Sequence, residues 1–204
     1  MTNIARMLSD ERRKVYVMTP AVMPQPLRPS RPLRTIVAAG LLAGVLDGLD
    51  AAIFIGIMSG IPVARVFQFI ASGLVGVRAF DGDGATAALG VLLHLVIATG
   101  AAATFYILST KLPILLRRPL LWGPIYGIGV FIFMHYLIVP LSAAPKQRPA
   151  DAASLLNLVF SHVFFVGIPI ALVTSKMARK YAEGARLTLA GDRDASAPGQ
   201  SLLH

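Results

Sequence analysis

The chain has 204 residues, of which 55% are hydrophobic and only 14% charged, and its mean hydropathy is +0.69. Average soluble domains carry roughly a quarter charged residues, so this composition excludes a largely disordered chain and a conventional soluble enzyme. The net charge is +9; in so apolar a chain the basic surplus points to loops sorted to one side of a membrane rather than to a nucleic-acid partner.

Residues 1–34 read as a disordered basic tail, with seven Lys or Arg against Asp10 and Glu11 and prolines at 20, 24, 26, 29 and 32 that forbid a long helix. The apolar run behind it starts too late and is too long for a secretory signal. Four apolar stretches follow, at about 35–60, 85–108, 119–141 and 152–174, each long enough for a hydrocarbon core of about 30 Å. Between the first two, residues 62–80 are apolar but carry Arg65, Gln68, Ser72 and Arg78. Arg65, Gln68 and Ser72 share one helical face, as in a helix lying in the membrane interface. The glycines of DGDG at 81–84 mark a turn, and residues 175–204 read as a second polar tail that frays.

Loop charge sets the orientation. With four spans, the N-tail, Lys111, Arg117, Arg118 and the basic residues of the C-tail share one side, leaving Arg65, Arg78, Lys146 and Arg148 on the other. The positive-inside rule then puts both termini in the cytoplasm. Trp122 and Tyr126, just after Arg117 and Arg118, fit an inner-interface anchor.

The first span has a small residue at every fourth position: Gly40, Gly44, Gly48, Ala52, Gly56 and Gly60. Such a stripe lets helices approach closely in lipid, against another span of the same chain or in a homodimer seam. Asp47 and Asp50 lie in the same span, three residues apart and on one face. Counted at 1.5 Å per residue, they sit about 18 and 22 Å from the cytoplasmic edge. The same count puts His94, His135 and His162, one in each remaining span, about 9–15 Å below the outer surface. Carboxylates in a bilayer are costly and usually face the bundle interior. Five ionisable side chains at one depth therefore suggest a shared polar cluster, which Thr99, Asn157 and Ser161 can supplement.

Three chemistries suit this cluster: a proton relay or ion site, a divalent-metal site, and a bis-histidine haem. Ordinary packing of buried histidines is the alternative to all three. No HxxxH, HExxH or CxxCH spacing selects among them. With no cysteine, no GxxxxGK and no GxSxG elbow, an enzyme is the least supported class. Pro140 marks where the third span emerges, and Pro169 should kink the fourth.

The segments AGLLAGVLDGLDAAIF, IASGLVG, LLHLVIA, PLSA and SHVFFVGIPIAL together resemble a group of small uncharacterised four-span bacterial membrane proteins, over residues 36–174. A more distant similarity is to YagU-type inner-membrane proteins, which share a histidine in span two, one before a proline-ended span three, and one in span four. That resemblance implies a link to acid tolerance. The Asp47 and Asp50 pair and the 62–80 segment depart from the YagU pattern.

The expectation is thus an all-α, four-span bundle with an interfacial helix. It would be a non-enzymatic membrane protein handling protons or ions and serving acid or envelope stress. The alternatives are a haem or metal redox module, and an accessory subunit whose glycine stripe grips a partner. The lipid bilayer is the expected partner, with a second copy or another membrane protein as further options and no nucleic acid.

Overall fold

The computed structural model describes residues 31–146 and 151–196. Most of the expected N-terminal tail, Arg148 in the third loop and the last eight residues lie outside the described residues. Every described element is helical. Helix α1 (Pro32–Ser59) is followed by α2 (Val63–Val75) and a 3₁₀ turn (Gly76–Phe80), then α3 (Gly84–Lys111) and the short α4 (Ile114–Arg117). Helix α5 (Pro119–Phe133) continues through a π turn (Met134–Ile138) to Leu141. Helix α6 (Ala152–Ser161), a second π turn (His162–Gly167) and α7 (Ile168–Ser196) form one long rod. Five of these segments are long and apolar enough to cross a membrane: Pro32–Met58, Val63–Phe80, Gly84–Lys111, Pro119–Leu141 and Ala152–Thr188. In hydrocarbon a backbone must satisfy its own hydrogen bonds, which is why long apolar sequence becomes unbroken helix.

Glycines set the packing. Helices α1 and α3 run antiparallel, with Gly40 against Thr99, Gly44 against Leu95 and Ala98, and Gly48 against His94. The α6–α7 rod runs antiparallel to α1 on another side, pairing Asp47 with Ser161 and Asp50 with Asn157. Helix α5 packs antiparallel on that rod, Gly123 against Ile168 and Gly127 against the His162 backbone. The ring closes where Tyr126 donates to the Ala101 carbonyl at 2.6 Å and meets Phe105 edge-on. Small side chains therefore fill the middle (Ala39, Ala43, Ala102, Ala171) around Phe105 and Ile170. Large ones such as Leu49, Ile53, Val96 and Ile132 face outward, as expected where lipid is the solvent.

Several expectations need correcting. Two of the three residues in the polar row of α2 turn inward, Gln68 being 6% exposed and Ser72 fully buried, while Arg65 stays exposed. Gln68 Nε2 donates to the Gly82 carbonyl at 2.5 Å and to Thr86 Oγ1 at 3.2 Å, because the tight DGDG turn offers carbonyls that need donors. The region expected to fray beyond residue 174 is helical through Ser196. Its Ala, Lys, Arg, Glu and Leu are strong helix formers, and the next proline is residue 198.

The 3₁₀ turn after α2 folds back along it. Arg65 donates to the Phe80 carbonyl at 2.9 Å, whereas fifteen residues of unbroken helix would separate the two backbones by about 22 Å. The end of α2 is tied to the segment leaving α5 by Ala143 N–H donating to Gly73 O at 3.0 Å. Both π turns end two residues before a proline, Pro140 and Pro169. A proline lacks its N–H and crowds the carbonyl four residues back, and a widened turn relieves both problems. At the start of α6, Asp151 accepts from Ser154 N–H at 2.8 Å, which holds this exposed carboxyl below the usual carboxylate range. The cap is therefore present at neutral pH and lost as pH falls through that lowered value.

At Gly90 a Cβ would collide with the Phe67 carbonyl, so α3 and α2 touch backbone to backbone, whereas nothing lies within 4 Å of a Cβ at Gly100 on the same helix. Gly90→Ala should cost about 1–3 kcal/mol or more by overpacking, while Gly100→Ala should be neutral or stabilise by about 0.5–1 kcal/mol. Thermal unfolding in detergent, followed by circular dichroism, checks the pair; equal melting temperatures would overturn the account of this contact.

Candidate functional site

The ionisable residues separate into two groups. The first is built where α1, α3 and the α6–α7 rod meet. Asp47 accepts from Ser161 Oγ on Oδ1 at 2.5 Å, and its Oδ2 lies 3.7 Å from His94 Nε2. Asp47 and His94 are each 15% exposed, and Ser161 is buried. Three residues further along α1, Asp50 Oδ2 accepts from Asn157 Nδ2 at 2.9 Å. The two carboxylates thus face α6 in register, and their polar partners Asn157 and Ser161 lie four residues apart. An ionised carboxyl at the centre of a bilayer costs about 2.5–3.5 kcal/mol on insertion scales. One hydrogen bond to a charged group returns about 1.5–3 kcal/mol, so these contacts are of the size needed to hold an acid there.

His94 is positioned by two glycines. Its Nε2 lies 2.9 Å from the Gly44 carbonyl, and a Cβ at Gly48 would sit 3.2 Å from the same nitrogen. Gly44 lets α3 approach and Gly48 leaves room for the ring. A carbonyl only accepts, so Nε2 carries the proton in the neutral ring and Nδ1 is left as its basic nitrogen. Phe67 of α2 meets the imidazole edge-on, with ring centres 6.4 Å apart.

The second group is aromatic. His135 stacks on Phe131 at 5.4 Å, and His162 meets the same Phe131 edge-on at 5.8 Å. His162 Nδ1 donates to the Leu158 carbonyl at 2.8 Å, one turn back on its own helix. Both histidines lie in the π turns that precede the prolines. Among the described residues no set of three His, Cys, Asp or Glu could hold a metal ion. The three histidines do not share one site: Phe131 is packed against the rings of His135 and His162, and His94 is bound to α1.

Thr99 spends its hydroxyl on the Leu95 carbonyl of its own helix and lies against Gly40, away from the carboxylates. Of the glycine stripe, Gly40, Gly44 and Gly48 face α3 within the chain. Ala52 is buried, Gly56 has only the Ile61 carbonyl nearby, and Gly60 ends α1 with φ 61° and nothing within 4 Å of a Cβ. Sequence reasoning missed Gly90, Gly123, Gly127 and Gly167, which carry the other close approaches. The small-xxx-small spacing of Gly123 and Gly127 could have flagged two of them.

The two hydrogen-bonded histidines should hold opposite neutral tautomers, Nε2–H for His94 and Nδ1–H for His162. Ring ¹⁵N chemical shifts of histidine-labelled protein above the imidazole titration range, assigned with His94→Gln and His162→Gln, report this directly. Identical tautomers would contradict the geometry. Comparison with protein-family models, with curated proteins and with solved structures finds no match to this chain.

Proposed function

We propose that this is a non-enzymatic integral membrane protein that relays protons, or a cation in their place, through Asp47 and His94. The observation that carries the reading is the His94 imidazole held 3.7 Å from a largely buried carboxylate by hydrogen bonding to a helix backbone. A proton taken up at Nδ1 makes the ring cationic. A small ring rotation then redirects Nε2–H from the Gly44 carbonyl to Asp47 Oδ2, and transfer leaves a neutral ring and a neutral carboxyl. Ser161 orients Asp47 throughout, and Asp50 with Asn157 forms the next polar step along α1.

In this reading the chain is a four-span bundle in a bacterial inner membrane, with α2 as a non-spanning outer element. Two observations favour it. The 13 residues of α2 reach about 20 Å, short of a core of about 30 Å, and the next segment doubles back to Arg65. Lys111, Arg117, Arg118, Lys176 and Arg179 lie at the end of the bundle where α3 stops and α7 leaves, which fits a cytoplasmic face. A contribution to acid or envelope stress tolerance follows from the YagU-type resemblance.

Proton flux into proteoliposomes under an imposed potential, read by an internal pH dye, tests the relay. Asp47→Asn and His94→Gln should each lower flux at least tenfold, Asn157→Ala less, and Asp151→Asn not at all. Matched melting temperatures separate loss of relay from loss of fold. Wild-type flux in both Asp47→Asn and His94→Gln would end the proposal.

A further inference from the structure

At the basic end of the bundle a cleft of about 460 Å³ opens between the start of α5 and the middle of α7, lined by Pro119, Leu172, Val173, Ser175, Lys176 and Arg179. Leu172 and Val173 are among the last residues of the apolar part of the rod, and Lys176 and Arg179 are the first cations beyond it. The cleft therefore straddles the boundary between hydrocarbon and water. Lys176 and Arg179 are three residues apart, on one face of α7, and both are exposed. No carboxylate lines the cleft among the described residues. Ser175, 3% exposed, has a hydroxyl with no partner among the described residues, and Trp122 Nε1, three residues into the chain from Pro119, is also buried without one among them. A buried donor lacking an acceptor costs about 1–3 kcal/mol and calls for a ligand.

We propose that this cleft is a binding site for the phosphate of an anionic phospholipid of the leaflet at this end. Lys176 and Arg179 hold the phosphate, Ser175 is the nearest hydroxyl to donate to it, and an acyl chain lies over Leu172 and Val173. The apolar floor selects a lipid over free phosphate, because an aqueous anion gains nothing from Leu172 or Val173. The paired cations select an anionic lipid over a zwitterionic one.

The experiment uses the full-length protein in phosphatidylcholine nanodiscs with and without phosphatidylglycerol, reading lipid retained after extraction by native mass spectrometry together with the melting temperature. Phosphatidylglycerol should be retained in preference to phosphatidylcholine and should raise the melting temperature. Lys176→Gln with Arg179→Gln should lower that preference roughly tenfold or more, and Ser175→Ala should lower it less. Lys111→Gln with Arg186→Gln removes two basic residues outside the cleft and should preserve the preference. Melting temperatures in pure phosphatidylcholine establish that each variant is folded. Equal retention of the two lipids overturns the proposal, as does a preference that survives the Lys176 and Arg179 changes or is lost equally in the Lys111 and Arg186 control. Equal stabilisation by inorganic phosphate would make the cleft a free-anion site and overturn the lipid assignment.

Discussion

The close approach of α1 to α3 is the constraint on which the other features rest. Between helices in lipid no water is released by contact, so association depends on dispersion and on backbone polar groups coming within reach. Gly40, Gly44 and Gly48 remove the side chains from one ridge of α1, and α3 moves into the space. At Gly40 a Cβ would come within 2.5 Å of the Thr99 Cα, which leaves no room for even a methyl group. This closeness is what lets the His94 ring reach a carbonyl of a neighbouring helix. The glycine ridge and the polar site are thus one device: a change that widened the helix spacing would carry the imidazole away from both Gly44 and Asp47.

The second histidine group has a different origin. Pro140 and Pro169 each force a widened turn upstream, and those turns hold His135 and His162. Their shared neighbour is Phe131, an apolar ring that offers neither an acceptor nor a charge. Packing therefore accounts for this pair, whereas packing alone does not account for an acid facing Ser161 and His94 across two helix interfaces. That contrast in surroundings, rather than depth in the membrane, is what favours Asp47 and His94 over His135 and His162 as the seat of the proposed relay.

Much of the architecture was legible in the sequence, and the limits of legibility are instructive. Apolar length located α1, α3, α5 and the start of the α6–α7 rod within a few residues, because a backbone in lipid has few alternatives to helix. Periodicity put Asp47 and Asp50 on one face, where they do lie side by side along α6. Counting residues from the span ends gave a common depth for all five ionisable groups, but depth says nothing about direction around the helix axis. Asp47 with His94 and His135 with His162 consequently read as one cluster when they form two. Periodicity also could not tell which way the polar row of α2 faces. Arg65, Gln68 and Ser72 produce the same amphipathic pattern whether they meet headgroups or the carbonyls of a neighbouring turn, and here Gln68 and Ser72 turn inward. The unbroken helix to Ser196 was missed for a related reason: polar composition signals exposure, and exposure does not preclude a helix built from strong helix formers.

The inward-facing Gln68 and Ser72 give α2 a definite place in the proposed relay. Phe67 stands edge-on to His94, and its Cζ would be 3.8 Å from a Cβ at Gly48, so α2 covers the site on the side away from the basic end. One residue along, Gln68 is bonded to the turn that starts α3, the helix carrying His94. Farther along, Gly73 is bonded to the chain leaving α5. A cover pinned at both positions excludes water from one side of the imidazole, which strengthens every polar contact beneath it. A proton entering from that side must pass α2, at Phe67 or around it, before it reaches Nδ1. The amide of Gln68, bound by the DGDG turn, thus helps fix the helix whose Phe67 packs against His94.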